Sequence, residues 1–424
     1  MNKKEKTILP QLRFHRFKDY PAWNIDNFGN IVVPVEERAG TKKYTLMSVT
    51  SGVGLIPQIE KFGREIAGSA YKNYYVIKKN DLAYNKSATK QFPEGYISML
   101  KEYEEAALPN SIFTCFRVTD KECDPRFFDH LFHNNYHGSW LRKYIEVGAR
   151  AHGSLSIDTQ HLWDMPVALP RIEEQQKIAD CLSSLDDLIT AEDKKLEVYK
   201  AHKKGLMQKL FPADGKTVPE WRFPEFRGSG EWVKKSLGQL GELVSGLTYS
   251  PDDIRESGLL VLRSSNIKNN VITLDDNVYV RTDISGANHS VENDILICVR
   301  NGSKALIGKN AIIPKGMPLC THGAFMTIFR TKFSKFVFQL LQSNSYEKQV
   351  KADLGATINS INGSQLRKYV FYIPKDIKEQ EKIANCLSDL DTLITSQAEK
   401  IESLKVHKKG LMQGLFPSVE EVGE

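Results

Sequence analysis

Few residue groups in this chain have the types and spacing that chemistry requires. Gly302-Ser-Lys-Ala-Leu-Ile-Gly308-Lys309-Asn310 approaches a phosphate-binding loop. It has one residue too many between its glycines, and Asn310 stands where a magnesium-binding hydroxyl belongs. Pro251-Asp252-Asp253 has the carboxylates of a nuclease centre but no ExK partner nearby, and reads as a capped turn. His130, His133 and His137 would share a face if 125–137 were one helix, and a His133/His137 step could hold a metal. The matching segment 337–343 has no histidine, so a polar helix face is the expected role. Cys320-Thr321-His322 is a Cys-x-His pair without partners. No GxSxG, HExxH, glycine-rich cofactor loop or Asn/Asp-Pro-Pro-aromatic motif occurs. The expectation is no catalytic residue and no metal ligand.

The residues that remain are polar loop clusters suited to nucleic acid. Toward the C-terminus these are Arg263, Ser264, Ser265 and Asn266; Arg300, Asn301, Ser303 and Lys304; Thr321 and His322; and Asn359, Ser360 and Asn362. Toward the N-terminus they are Lys42, Lys43 and Tyr44; Asn85, Lys86 and Ser87; and Arg150, His152 and Ser154. Arg and Lys suit guanine O6/N7 and phosphates, Asn suits adenine N6/N7, and hydroxyls suit phosphate oxygens. One polar loop is ordinary surface. Recurrence after comparable strands in both halves makes the set a candidate DNA surface.

The elements that position these loops are repeated. Residues 174–212 and 379–417 are identical at 26 of 39 positions, at a constant offset of 205. Pro10, Arg13, Phe14, Phe17, Trp23 and Gly29 recur as Pro219, Arg222, Phe223, Phe226, Trp232 and Gly238, at an offset of 209. Solenoids repeat every 20–50 residues, so a period near 205 means two whole domain-plus-helix units. The matched blocks carry apolar residues in a heptad pattern, including Leu182, Leu185, Ile189 and Leu196 in one and Leu387, Leu390, Ile394 and Ile401 in the other. Each is expected to be a long helix of about 55 Å at ~1.5 Å per residue. Because a lone helix is marginal in water, the two are expected to pair antiparallel, with Glu192 opposite Gln397.

Between the matched blocks lie stretches with little mutual identity but similar patterning. Residues 43–49, 81–85 and 112–118, and again 259–267, 277–280, 294–299 and 325–330, read as strands. Residues 125–135 and 337–343 read as helices. The expected fold is mixed α/β: two homologous α/β domains separated by two long antiparallel coiled-coil helices, with pseudo-two-fold symmetry. The expected divisions are 1–168, 169–212, 213–372 and 373–424.

Composition bounds the rest. The 424 residues are 41% hydrophobic and 26% charged, ordinary for a soluble globular protein. With 58 basic and 52 acidic residues the net charge is only +6, compatible with a nucleic-acid partner without establishing one. Cys115, Cys123, Cys181, Cys298, Cys320 and Cys386 form no CxxC pair and read as reduced thiols of a cytoplasmic protein. The basic N-terminus has no apolar core of a signal peptide, and no apolar run could span a membrane.

This alternation of variable and matched blocks resembles the specificity subunit of Type I restriction-modification systems. The LRSSNI and DILICVRNGS segments, the EQxKIA helix starts and the HKKGLMQxLFP ends carry the resemblance across nearly the whole chain. It implies a non-catalytic DNA-binding subunit of bacterial defence, with two target-recognition domains that each read half of a split, asymmetric site. The helices would set the gap and dock two methyltransferase (modification) subunits acting on adenine N6. Two restriction subunits, translocase and nuclease, would join them. S-adenosylmethionine, ATP and Mg would reside on those partners and no cofactor on this chain. The rival readings are a stand-alone nucleic-acid enzyme, and a coiled-coil scaffold joining two protein partners without DNA readout.

Overall fold

The computed structural model describes residues 7–67, 69–145, 155, 157–354 and 359–423. The chain forms two compact units, one of residues 1–193 with 399–424 and one of residues 194–398. Each unit is mixed α/β.

The first unit is built on an antiparallel sheet of four strands, in the order Val32–Pro34, Phe113–Val118, Leu82–Asn85, Tyr96–Met99. Helix Pro125–His133 covers one face of it. Asp124 caps that helix through the Arg126 N–H, and Pro125 occupies the first turn, where a missing N–H costs nothing. Phe127, Phe128, Leu131 and Phe132 pack with Leu82, Tyr84, Ile97 and Phe116 in one core. Strands Trp23–Asn27 and Pro166–Leu169 pair beside them.

The second unit repeats this order with Glu242–Ser245, Met326–Arg330, Ile295–Cys298 and Asn310–Ile312. Helix Ser334–Leu340 supplies Phe336, Val337 and Leu340 to its core. Val233–Ser236 pairs with Val370–Ile373 as the counterpart of the flanking strands. A further sheet holds Leu259–Leu262 between Val278–Val280 and Cys320–His322, and its pairing with Cys320–His322 is parallel.

The matched blocks are single helices of 39 residues, Ile172–Leu210 and Ile377–Leu415. Both starts are fixed in the same way. Gln175 Nε2 donates to the Pro170 carbonyl at 2.8 Å, and Gln380 Nε2 to the Pro374 carbonyl at 2.8 Å. Of the heptad residues, Leu182, Ile189, Leu196, Leu387 and Ile401 are buried, and Leu185, Leu390 and Ile394 are half-buried. In the first unit Ile178 and Leu182 share a core with Met412, Leu415 and Phe416. In the second, Ile383 and Leu387 share a core with Met207, Leu210 and Phe211. The same five positions, one Ile, two Leu, one Met and one Phe, meet in both, and each unit takes the start of one long helix and the end of the other. No helix among the described residues is long and apolar enough to cross a membrane.

Candidate nucleic-acid interface

In the second unit four loops converge at one end of the sheets because the strands that carry them are neighbours. Leu259–Leu262 leads into 263–266, and the Gly323 N–H donates to the Leu262 carbonyl at 3.0 Å. Ile295–Cys298 leads into 299–304, and the Arg300 N–H donates to the Phe325 carbonyl at 3.1 Å. The Ile361 N–H donates to the Val299 carbonyl at 2.8 Å, which brings in 359–362. Side chains tighten the cluster. Asn301 Nδ2 donates to Ser264 Oγ at 3.0 Å, and Asn359 Nδ2 to the Gly302 carbonyl at 3.1 Å.

Within that cluster the residues divide by exposure. Arg300, Ser303, Lys304 and Asn362 are exposed, while Arg263, Ser264, Ser265, Asn301, Asn359 and Ser360 are half-buried. Arg263 is partly committed, with Nη2 2.9 Å from Asp276 Oδ2. The Arg300 guanidinium lies over the Phe325 ring, 5.7 Å from its centroid. Asn362 caps helix Gly363–Arg367 through the Gln365 N–H.

Three residues expected at the surface are instead internal supports. Asn266 is fully buried and holds the Arg263 N–H and the Thr273 carbonyl. Thr321 and His322 are each 0% exposed. Thr321 donates to the Asn288 carbonyl at 2.7 Å. His322 lies 3.0 Å from both Ser290 Oγ and the Val244 carbonyl. They sit on the strand Cys320–His322, paired in parallel with Leu259–Leu262, rather than in the loop after it, so their polar atoms satisfy the core. Burial lowers the His322 pKa, keeping the ring neutral.

In the first unit Lys42, Lys43 and Tyr44 lie on an open loop. Lys42 Nζ is 3.0 Å from Glu105 and 4.7 Å from the Tyr44 ring centroid. Lys43 is exposed. Asn85 is buried, donating to the Val49 carbonyl and accepting from the Ser87 N–H, so it too is a support. Lys86 is half-buried with Nζ 3.1 Å from Thr159 Oγ1, and burial lowers its pKa. Ser87 is half-buried. Arg150, His152 and Ser154 lie outside the described residues.

The histidine face dissolves. The helix ends at His133, Asn135 turns left-handed at φ 59°, and His137 belongs to the next helix, Tyr136–Leu141. His130 Nε2 meets Ser183 Oγ at 3.0 Å, His133 lies 3.6 Å from Asp129, and His137 meets the Gly95 carbonyl at 3.4 Å. Among the described residues no three His, Cys, Asp or Glu side chains gather as metal ligands. Asp253 closes its turn by accepting from the Ser250 N–H at 2.9 Å. Asn310 is buried and bonds the Gly308 and Leu341 carbonyls.

Sequence reading missed the exposure of Ile112 and Phe325. Each looked like the first residue of an apolar strand, yet the strands begin one residue later, at Phe113 and Met326.

Comparison with known proteins agrees with this architecture. The family described as Type I restriction modification DNA specificity domain matches residues 38–200 and 229–406. The chain is similar to the Type I restriction enzyme MjaVIII specificity subunit of Methanocaldococcus jannaschii. The two are 25% identical over 284 residues, covering 64% of this chain and 66% of the relative. It is also similar to the EcoKI specificity subunit of Escherichia coli, with 27% identity over 195 residues, covering 44% of this chain and 41% of the relative. The chain thus spans less than two thirds of the length of these two relatives. The crystal structure of the S subunit from M. genitalium shares the fold with a TM-score of 0.59 at 16% identity, over 97% of this chain and 100% of that one. Matched twice, over both α/β units and into both long helices, the chain belongs to the Type I restriction modification DNA specificity family.

Proposed function

We propose that this chain is the DNA-specificity subunit of a Type I restriction-modification complex and has no catalytic site of its own. Each α/β unit is a target-recognition domain that reads one half of a bipartite, asymmetric DNA site. One observation carries the reading: a single framework occurs twice, with the same strand order and helix ends, and bears different polar loops. Two readers with a common scaffold and different surfaces suit two different half-sites.

In this proposal the long helices pair antiparallel as a coiled coil that fixes the gap. Ion pairs inside each unit support it. Asp186 meets Lys408 and Glu192 meets Lys400, so one number falls as the other rises. In the other unit Asp391 meets Lys203 at 2.6 Å. Helices of ~58 Å, at ~1.5 Å per residue, leave room for half-sites about one DNA turn, ~10 base pairs, apart. The helices also dock two modification subunits, which bind S-adenosylmethionine and methylate adenine N6; two restriction subunits bring ATP and Mg. The net charge of +6 fits a chain that shares phosphate neutralisation with its partners.

Methylome sequencing of cells expressing the complete system is the test. A split, asymmetric adenine-methylated motif is expected, and it should disappear when this chain alone is deleted. Methylation that persists unchanged without it would refute the proposal.

A further inference from the structure

The loops at the candidate interface are polar, yet an apolar side chain stands at the same framework position beside them in both units. Strand register establishes the equivalence. In the first unit Leu82 pairs with Phe116 and Asn85 with Phe113. In the second, Ile295 pairs with Phe329 and Cys298 with Met326. The residue just before the second strand of each pair is therefore Ile112 in one unit and Phe325 in the other. They are 45% and 56% exposed, while Phe113 and Met326 beside them are buried.

Phe325 is held rigidly. Its carbonyl accepts from the N–H groups of Val299 at 3.0 Å and Arg300 at 3.1 Å. The Ala324 N–H donates to the Leu247 carbonyl, and the Met326 N–H to the Gly323 carbonyl, both at 2.8 Å. The Arg300 guanidinium lies over the ring, and Asn301 and Ser264 bond to each other next to it. In the first unit Ile112 follows a turn closed by its own N–H on the Pro109 carbonyl at 3.3 Å. Ser87 takes the position of Arg300 there, because Leu155 bonds Lys86 as Ile361 bonds Val299.

An exposed apolar side chain on a backbone pinned by hydrogen bonds, with a guanidinium and an amide beside it in the second unit, has the form of the apolar wedges that proteins press between base steps. We propose that Phe325, and Ile112 at the same position, are wedges against a base step of duplex DNA, one in each half-site. This rests on the specificity reading above. Phe325 also seats the Arg300 guanidinium over its ring for a base edge beside that step. The pair is a positioning device that base-reading loops alone would lack.

The test uses the chain assembled with its modification subunits and a pool of duplexes randomised in sequence. Methylated molecules are recovered and sequenced, and binding to the recovered duplex is measured across a salt series. F325A is expected to bind about ten-fold more weakly. Its salt dependence should be unchanged, because no phosphate contact is removed. Its base preference should relax in one half-site only. F325W is expected to restore both properties, and I112A to act on the other half-site. An F325A complex with unaltered affinity and base preference overturns the wedge. So does an F325A chain that no longer assembles with the modification subunits, which would assign Phe325 to a protein interface. If the unaltered complex recovers no common sequence, the specificity reading falls and the wedge with it, so the two failures are distinguishable.

Discussion

Arg13 grips Glu174 with two parallel hydrogen bonds, Nε to Oε1 at 2.8 Å and Nη2 to Oε2 at 2.7 Å. Arg222 grips Glu379 the same way, at 2.6 and 2.7 Å. Both carboxylates are almost fully buried, and each sits in the first turn of a long helix, where negative charge is favoured. The pair ties the segment before each α/β domain to the start of the helix after it. A bidentate fork fixes orientation as well as distance.

Removing one partner should therefore be severe. R13M is expected to lose ~3–5 kcal/mol because it strands a buried carboxylate, whereas R13M/E174M should be much milder. Chemical denaturation of the single and double variants checks this. A double variant as damaged as the single one would contradict it.

The first unit should be the more acid-sensitive. Burial lowers the His130 pKa from 6.5 to about 4, and the His137 pKa likewise to about 4. His130 faces Asp129, His133, Asp186 and Lys408, and the two lysine and histidine neighbours reinforce the shift while the carboxylates oppose it. For a depressed histidine the neutral form is favoured on folding. Stability is fully present above pH 6.5 and is lost as pH falls from there toward 4. Gln339 occupies the matching place in the second unit, 209 residues on, and bonds Asp391 at 2.9 Å. H130Q should flatten the loss, as thermal unfolding between pH 7 and 4.5 (roughly the titrating window) would show. An unchanged profile would count against a role for His130.

Gly246 has no room for a side chain. A Cβ there would lie 2.2 Å from the Gly323 carbonyl oxygen, a backbone atom that cannot swing away. G246A is expected to cost ~1–3 kcal/mol and to displace the loop bearing Phe325. Denaturation midpoints, together with the salt-series binding measurement, report both effects.

Replacing Arg300, Asn301 and Lys304 together should impair one half-site and spare the other. Sequencing of methylated sites decides this. Alteration of both half-sites would break the modular assignment.

Deleting one turn from 190–200 should change the gap or block assembly and leave both half-site sequences intact. Removing four residues rotates everything beyond by ~400°, about 40° past a full turn, so the heptad seam is shortened and only slightly offset. New half-site sequences in the deletion variant would argue against a spacer.

How much was legible follows from what each feature depends on. The duplication, the long helices, the strands over 81–85, 112–118, 294–299 and 325–330 and a helix expected over 125–135 are local or periodic properties, and heptad spacing with flanking prolines is written in one dimension. Their sheet partners Val32–Pro34, Tyr96–Met99, Glu242–Ser245 and Asn310–Ile312 were not legible as strands. The family resemblance rests on the same local segments. Which polar residues face solvent is not local. Asn85, Asn266, Thr321 and His322 have the same types as their exposed neighbours, and only strand pairing and loop convergence bury them. Conversely Ile112 and Phe325 have core types but fall one residue outside the ladder, where no sheet covers them. Tertiary packing also decided that each core takes the start of one long helix and the end of the other, because an apolar stripe specifies that it must be covered and not by what.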